Sequence, residues 1–251
     1  DPDAIKAEAE AANLTFHPDQ VLPAWSETEA AQRAASLLRS GSTHAAMKGL
    51  IHTDILLKAL LNASAGLRQP GTRVSHVFLA DIPAYPKLLA ISDAAVNIAP
   101  DLSAKAAILQ HAIDLMASIG VDLPKAAILS AVETVNPLIS SSLDAAALSV
   151  MSHRGQVRGA LVDGPLAFDN AISLKAAEVK GIASPVAGDA DILLVPDLVS
   201  GNILAKSLEY MADATLAGLV LGLNAPIVLP SRADPVDARL AGLALARLSL
   251  A

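Results

Sequence analysis

The sequence predicts an α/β protein with a mostly parallel sheet covered by helices on both faces. Three observations predict it. From Ala126 onward, short apolar runs alternate with helical spacing, the pattern of successive strand–helix units. The run Ile192–Val195 is short, wholly apolar and stopped by Pro196, as a strand buried on both faces must be. Hydrophobic residues make up 53% of the chain but aromatics only 2%, so the core between the layers has to be aliphatic.

Taken in order, Asp1-Pro2 supplies a cap and first residue for a helix to Ala12. Asn13–Ala24 is a loop with one short strand candidate. Ser26-Glu27-Thr28-Glu29 fits a capping box, and its helix stops at Gly41. His44–Met47 is a short strand. His52-Thr53-Asp54 opens a helix over Ile55–Ala63, closed by Gly66. Val74–Ile82 and Leu88–Ile98 are strands with only a proline-bearing connection between them, hence an antiparallel pair. That pair predicts a second sheet and a domain boundary near Gln69-Pro70. Ser103 caps a helix with Ile108, Ala112, Leu115 and Ile119 on one face, ended by Gly120. Then follow strand Ala126–Leu129, helix Leu143–Met151, strand Val157–Val162, helix Asn170–Val179 and strand Ile192–Val195. A long helix runs from Ile203 to about Leu221, then a strand at Ile227–Leu229. Asp234 as N-cap and Pro235 as first residue open the last helix, to Ser249.

The 251 residues suffice for one large or two moderate domains, roughly 100–150 residues each. A net charge of −7 without a basic run argues against a nucleic-acid partner. A small anionic ligand is still allowed, because it needs only two or three local cations. Without cysteine there is no disulfide, thiolate metal site or Cys nucleophile. No two histidines stand at metal-ligand spacing, and Gly-x-Gly-x-x-Gly, Walker and Gly-x-Ser-x-Gly motifs are absent. The acidic N-terminus does not resemble a signal peptide. The apolar run Ala214–Leu229, broken by Gly218, Gly222, Asn224 and Pro226, is a buried helix and strand, not a membrane span. A cytoplasmic location with no membrane partner is expected.

Polar residues gather after several strands: Ser130 with Glu133, Asp163 with Asp169-Asn170, Asp197 with Gly201-Asn202, and Ser231-Arg232 before Asp234. Each has a plain reading as cap or turn. Four such loops on one edge would line a crevice, where α/β sheets bind ligands. Ser231-Arg232 is the most chemical pair. Arg forks onto phosphate, and a serine hydroxyl donates to a developing oxyanion. Asp234 and Asp237 read first as N-cap and first-turn carboxylate of that helix; as a base, either would have to deprotonate a thiol or hydroxyl in the crevice.

The stretches MKGLIHTDILLKALL (Met47–Leu61), ISDAAVNIAPD (Ile91–Asp101), AILSAVETVNP (Ala127–Pro137), RGQVRGALVDGPLAFDNAIS (Arg154–Ser173), SPVAGDADILLVPDLVSGNILAK (Ser184–Lys206) and SRADPVDARLAGLALA (Ser231–Ala246) together resemble the phosphate acetyltransferase and phosphate butyryltransferase family. The resemblance extends to the phosphotransacylase half of bifunctional proteins with an upstream hydratase. It implies two three-layer α/β domains with a cleft between them, the isocitrate and isopropylmalate dehydrogenase-like fold, one domain having a mixed sheet. The first would comprise 1–69 plus 230–251, the second 70–229. It implies a homodimer, acyl-CoA and phosphate as substrates, no covalent cofactor and no metal. The reaction would be reversible acyl transfer between coenzyme A and phosphate in a ternary complex, an aspartate taking the thiol proton.

Ser231 and Arg232 match the family's charge-stabilising pair. In the acetyltransferases the base lies seven residues after that serine; here the position is Ala238. Asp237 and Asp234 are the candidates. Asp197, Gly201 and Asn202 would shape the cleft floor, and Lys48, His52 and Thr53 are candidate ligand contacts. The family begins with a further strand–helix unit, so this chain is expected to start partway through the first domain. Two rivals stay open. A metal-dependent dehydrogenase of the same fold would need clustered aspartates, and none is evident. A catalytically silent CoA-binding module would keep the pocket without turnover.

Overall fold

The computed structural model describes residues 1–62, 65–68 and 71–250. The described strands are β1 (Ala46–Met47), β2 (Ser75–Asp81), β3 (Leu89–Ser92), β4 (Lys125–Leu129), β5 (Leu161–Leu166), β6 (Ile192–Leu194), β7 (Thr215–Leu221) and β8 (Ile227–Val228). The helices are α1 (Pro2–Ala11), α2 (Glu27–Arg39), α3 (Thr53–Leu61), α4 (Leu102–Ser118), α5 (Ser140–His153), α6 (Phe168–Ile172), α7 (Leu174–Val179), α8 (Leu198–Met211) and α9 (Val236–Leu248).

The strands form one mixed sheet in the order β1-β8-β7-β2-β3-β6-β4-β5. β2 and β3 are antiparallel as expected, but β2 also pairs with β7, so no second sheet forms. The pairs β8–β7, β7–β2 and β2–β3 are antiparallel; the other four are parallel. Three reversals lie between β8 and β3. The carboxyl ends of β1 and β8 therefore point to one edge, and those of β4, β5 and β6 to the other. The four polar loops do not share an edge: Ser231-Arg232 stands apart from the other three.

Strand alternation sorts the core into layers. Ala217 and Leu219 of β7 and Val77 and Leu79 of β2 enter a core with α4, α5 and α9 residues. Leu216 and Ala80 face the opposite side, under α7 and α8. Val220 joins a third core beneath α2 and α3. Between the second and third cores, the rings of His76 and Phe78 pack edge to face, 4.3 Å apart. Gly218 makes room for them: a Cβ there would lie 3.0 Å from His76 Nε2.

Several boundaries differ from expectation. The run Ala214–Leu221 is not the end of a long helix; α8 stops at Met211 and β7 follows. Asp213, at φ 51°, turns the chain between them. Strand β5 lies at Leu161–Leu166, later than Val157–Val162. The helix over Asn170–Val179 is two helices, α6 and α7, divided at Ser173, whose side chain caps the second. Strand β3 ends at Ser92 because buried Asp93 takes over the backbone, accepting from Ala95, Val96 and His76 N–H groups. Asp101, not Ser103, caps α4. Pro235, without a side-chain cap, precedes α9. The capping box holds: Ser26 Oγ accepts from Glu29 N at 3.1 Å. Asn13–Ala24 contains a single 3-10 turn and no strand. Ala63 and the boundary at Gln69-Pro70 lie outside the described residues.

His76 is fully buried with neither ring nitrogen hydrogen-bonded among the described residues. Burial pushes its pKa down to about 4. The folded protein thus keeps His76 neutral while the unfolded chain takes up a proton below about 6.5. Stability is full above that pH and falls as the pH drops from about 6.5 to about 4, by up to ~3 kcal/mol. Urea unfolding across this window should show the loss in the wild type and a flatter profile in His76→Leu. At Gly201 an added Cβ would sit 2.6 Å from Val195 Cγ2 and 3.1 Å from the Asp93 carbonyl. Gly201→Ala should therefore lower stability by about 1–3 kcal/mol, measured by the same unfolding curves.

Candidate active site

Parallel pairing of β1 with β8 sets the site. Met47 lies opposite Val228, and Lys48 N donates to the Val228 carbonyl at 3.0 Å. The two strands end together, and their chains then diverge into the starts of α3 and α9. Lys48 is buried, 3% exposed. Its ammonium donates to the carbonyls of Gly49 (3.1 Å) and Ile51 (3.3 Å). Burial, then the nearby charges of Arg232 and Arg239, lower its pKa; Asp234 and Glu27 act against them. A buried cation with carbonyl partners and other cations around it is poised for an anion.

On the neighbouring loop, Ser231 N donates to Asp234 Oδ2 at 2.7 Å, and Asp234 N to the Ser231 carbonyl at 3.3 Å. Ala233 N donates to Ser231 Oγ at 3.4 Å. This tight turn leaves Ser231 half-buried and Arg232 exposed. Among the described residues, no hydrogen bond or ion pair commits the Arg232 guanidinium. Asp234 is half-buried, and burial raises its pKa above the ordinary carboxylate value; the Ser231 N–H opposes this, the negative charge of Glu209 adds to it and Lys206 opposes it. Glu209 itself is paired with Lys206 at 2.6 Å. Asp237 is exposed in the first turn of α9, and Ala238 is buried.

His52 lies just before α3 without a side-chain cap bond. Its N–H donates to Glu27 Oε2 at 2.9 Å, and its Nδ1 lies 2.8 Å from the same oxygen. These contacts, the N–H first, hold Glu27 below the ordinary carboxylate range, with a smaller contribution from Arg232. Thr53 is the first residue of α3. Asp197, Gly201 and Asn202 stand at the far end of α8. Asp197 caps that helix through Ser200 N at 2.9 Å, Gly201 allows close packing on Val195, and Asn202 Nδ2 donates to the Ala94 carbonyl at 3.2 Å. Twelve residues of helix, about 18 Å of rise, separate Asp197 from Glu209.

The fold thus assembles Ser231, Arg232, Asp234, Lys48 and His52 at one edge, and leaves Asp197, Gly201 and Asn202 at the other. Glu27, Glu209 and Arg239 are the residues that sequence reasoning missed. Glu27 was visible only as part of a capping box; Glu209 and Arg239 carried no signal. A groove of about 440 Å³ between α2 and α3, lined among others by Gln32, Arg39, Asp54 and Lys58, shares no residue with the Ser231–Asp234 loop. Among the described residues no group of three or more His, Asp or Glu could hold a metal ion, and no helix is long and apolar enough to cross a membrane.

Two cations, a hydroxyl and a carboxyl of raised pKa can bind an anionic oxygen, donate to it and accept a proton. Comparison with known proteins gives this chemistry a family. Residues 21–246 match the model described as "Phosphate acetyl/butaryl transferase". A phosphate acetyltransferase of Rickettsia prowazekii (strain Madrid E) is 51% identical over 243 residues, 96% of this chain and 69% of the relative. A crystal structure of a branched-chain phosphotransacylase from Enterococcus faecalis is similar with a TM-score of 0.82 and 35% identity, covering 91% of this chain and 82% of that one. A putative 4-hydroxythreonine-4-phosphate dehydrogenase from Salmonella typhimurium shares the fold alone, at 13% identity and a TM-score of 0.53, over 95% of this chain and 76% of its own. The dehydrogenase-like α/β fold, the ordered motifs and the extent of the match lead to one conclusion: this chain belongs to the phosphate acetyl/butyryl transferase family.

Proposed function

We propose that this chain catalyses reversible transfer of a short acyl group between coenzyme A and inorganic phosphate, by direct attack in a ternary complex. The observation that carries the reading is the uncommitted Arg232 guanidinium beside Ser231, on a loop next to buried Lys48. Family membership supports it.

In the direction of thioester synthesis, Asp234 takes the proton of the CoA thiol. The thiolate attacks the acyl-phosphate carbonyl carbon, the new C–S bond forms and the C–O bond to phosphate breaks. Arg232 and Lys48 hold the charge leaving on phosphate, and the Ser231 hydroxyl donates to the oxyanion. The reverse reaction returns the proton. Asp234 is the better base of the two aspartates. Burial raises its pKa toward that of a thiol, which is about 8.5, whereas Asp237 is exposed. His52 would help to hold the site through Glu27, and Thr53 lies beside it. Asp197, Gly201 and Asn202 would support α8, the helix that brings Glu209 to Asp234.

A homodimer, a cytoplasmic location and the division into 1–69 plus 230–251 and 70–229 belong to the same proposal.

Thiol release from acetyl-, butyryl- and branched acyl-CoA should depend on phosphate; CoA binding without turnover would instead make the chain a silent module. Arg232→Ala should raise the KM for phosphate at least about tenfold, the cost of roughly one charge-assisted hydrogen bond, and unchanged kinetics would remove Arg232 from the site. Asp234→Asn should lower kcat about 10²–10⁴-fold. A base works only when deprotonated, and this one's pKa is raised. The wild-type rate should therefore fall on acidification at a pH above the ordinary carboxylate range, and the variant should lack that limb.

A further inference from the structure

We propose that Arg239 is a positioning residue for the transfer loop, holding Arg232 in place through two main-chain carbonyls. The inference rests on the function proposed above. Arg239 is the fourth residue of α9. Its Nε donates to the Asp234 carbonyl at 3.2 Å, and its Nη2 to the Arg232 carbonyl at 3.3 Å. The two carbonyls flank Ala233, so one planar fork spans the loop.

The loop needs such a brace. No side-chain cap closes the start of α9. Among the described residues, the Asp234 carboxylate accepts from the loop's own Ser231 N. Arg239 is the link from this turn to the body of the helix. Its guanidinium is also close enough to Lys48 to lower that group's pKa. It adds positive potential to the site while its Nε and Nη2 donate to the chain.

A lysine would keep the charge but lose the fork, because an ammonium is a point donor on a flexible stem. This separates positioning from charge. A displacement of about 1 Å at a catalytic group costs on the order of 10²-fold. Arg239→Ala and Arg239→Lys should therefore each lower kcat/KM for phosphate about 10–100-fold. In an Arg232→Ala background, Arg239→Ala should cost less than about 2-fold further, because residues acting through one another are not additive. A full additional loss in that background, or an Arg239→Lys enzyme equal to the wild type, would overturn the inference. Should the double alanine variant fail to fold, Arg232→Lys with Arg239→Lys completes the same cycle. Wild-type protein without phosphate-dependent thiol release would sink the proposed function first. The cycle would then be run on thermal stabilisation by inorganic phosphate, and no stabilisation of the wild type would overturn this inference too.

Discussion

The two halves of the sheet meet in a single antiparallel ladder, β2 on β7, with seven residue pairs from Ser75–Leu221 to Asp81–Thr215. Everything about the candidate site follows from its direction. Because β7 runs against β2, β8 against β7, and β2 against β3, the loop after β8 emerges at the edge opposite the ends of β4, β5 and β6. There it meets the end of β1, which is parallel to β8 and two residues long. A parallel pair needs a crossover and evenly spaced bonds; here it delivers Lys48 and Leu229 side by side. Had β7 been parallel to β2, with the other pairings unchanged, Ser231-Arg232 would face the loops of the other half.

The electrostatics of that edge are deliberately unbalanced. Lys48, Arg232 and Arg239 share the space, and the nearest carboxylates have other engagements. Glu27 is held by His52 through two contacts, Glu209 by Lys206. Removing Lys48 from water costs free energy that its two carbonyl partners offset only in part. An anion placed there would gain from a positive potential already built and already desolvated, which is what makes such sites effective at holding a phosphate as charge develops on it. Asp234 is the exception. It must both accept the Ser231 N–H and lie near a second carboxyl, and these pull its pKa in opposite directions.

Much of the fold was legible because local physics decided it. The capping box at Ser26, the apolar face of α4 and the blunt run Ile192–Leu194 behave as their residues require. The reading of β7 failed for a physical reason. A run buried on both faces has no periodicity, so Ala214–Val220 looks the same as a buried helix until length and neighbours arbitrate. Gly218, read as one interruption of the apolar run, is there because His76 and Phe78 lie on it. At the site, Ser231, Arg232 and Asp234 were visible because a strand-to-helix loop concentrates chemistry within a few residues. Glu209 comes from a helix on the other side of β7 in sequence, and Arg239 acts through backbone carbonyls; neither relation leaves a mark in residue order. The single edge expected for four polar loops failed with β7, since one misassigned strand inverts the direction of all that follows.

The orientation of α9 explains why a carboxylate seven residues after Ser231 would not serve here. Ala238, Gly242, Leu245 and Ala246 form the buried stripe of that helix. Gly242 sets the depth: a Cβ there would lie 2.5 Å from Val228 Cγ1. A helix pressed this closely to β8 needs a small residue one turn earlier on the same stripe, and Ala238 supplies it at 5% exposure. An aspartate at 238 would be placed on the buried face of the helix and lose water there, which costs free energy. Tight packing at 238 and 242 and a base in the loop before α9 are thus two sides of one arrangement. With position 238 given to packing, the acceptor proposed above lies in the turn itself, where Asp234 is half-buried and stands within three residues of the serine.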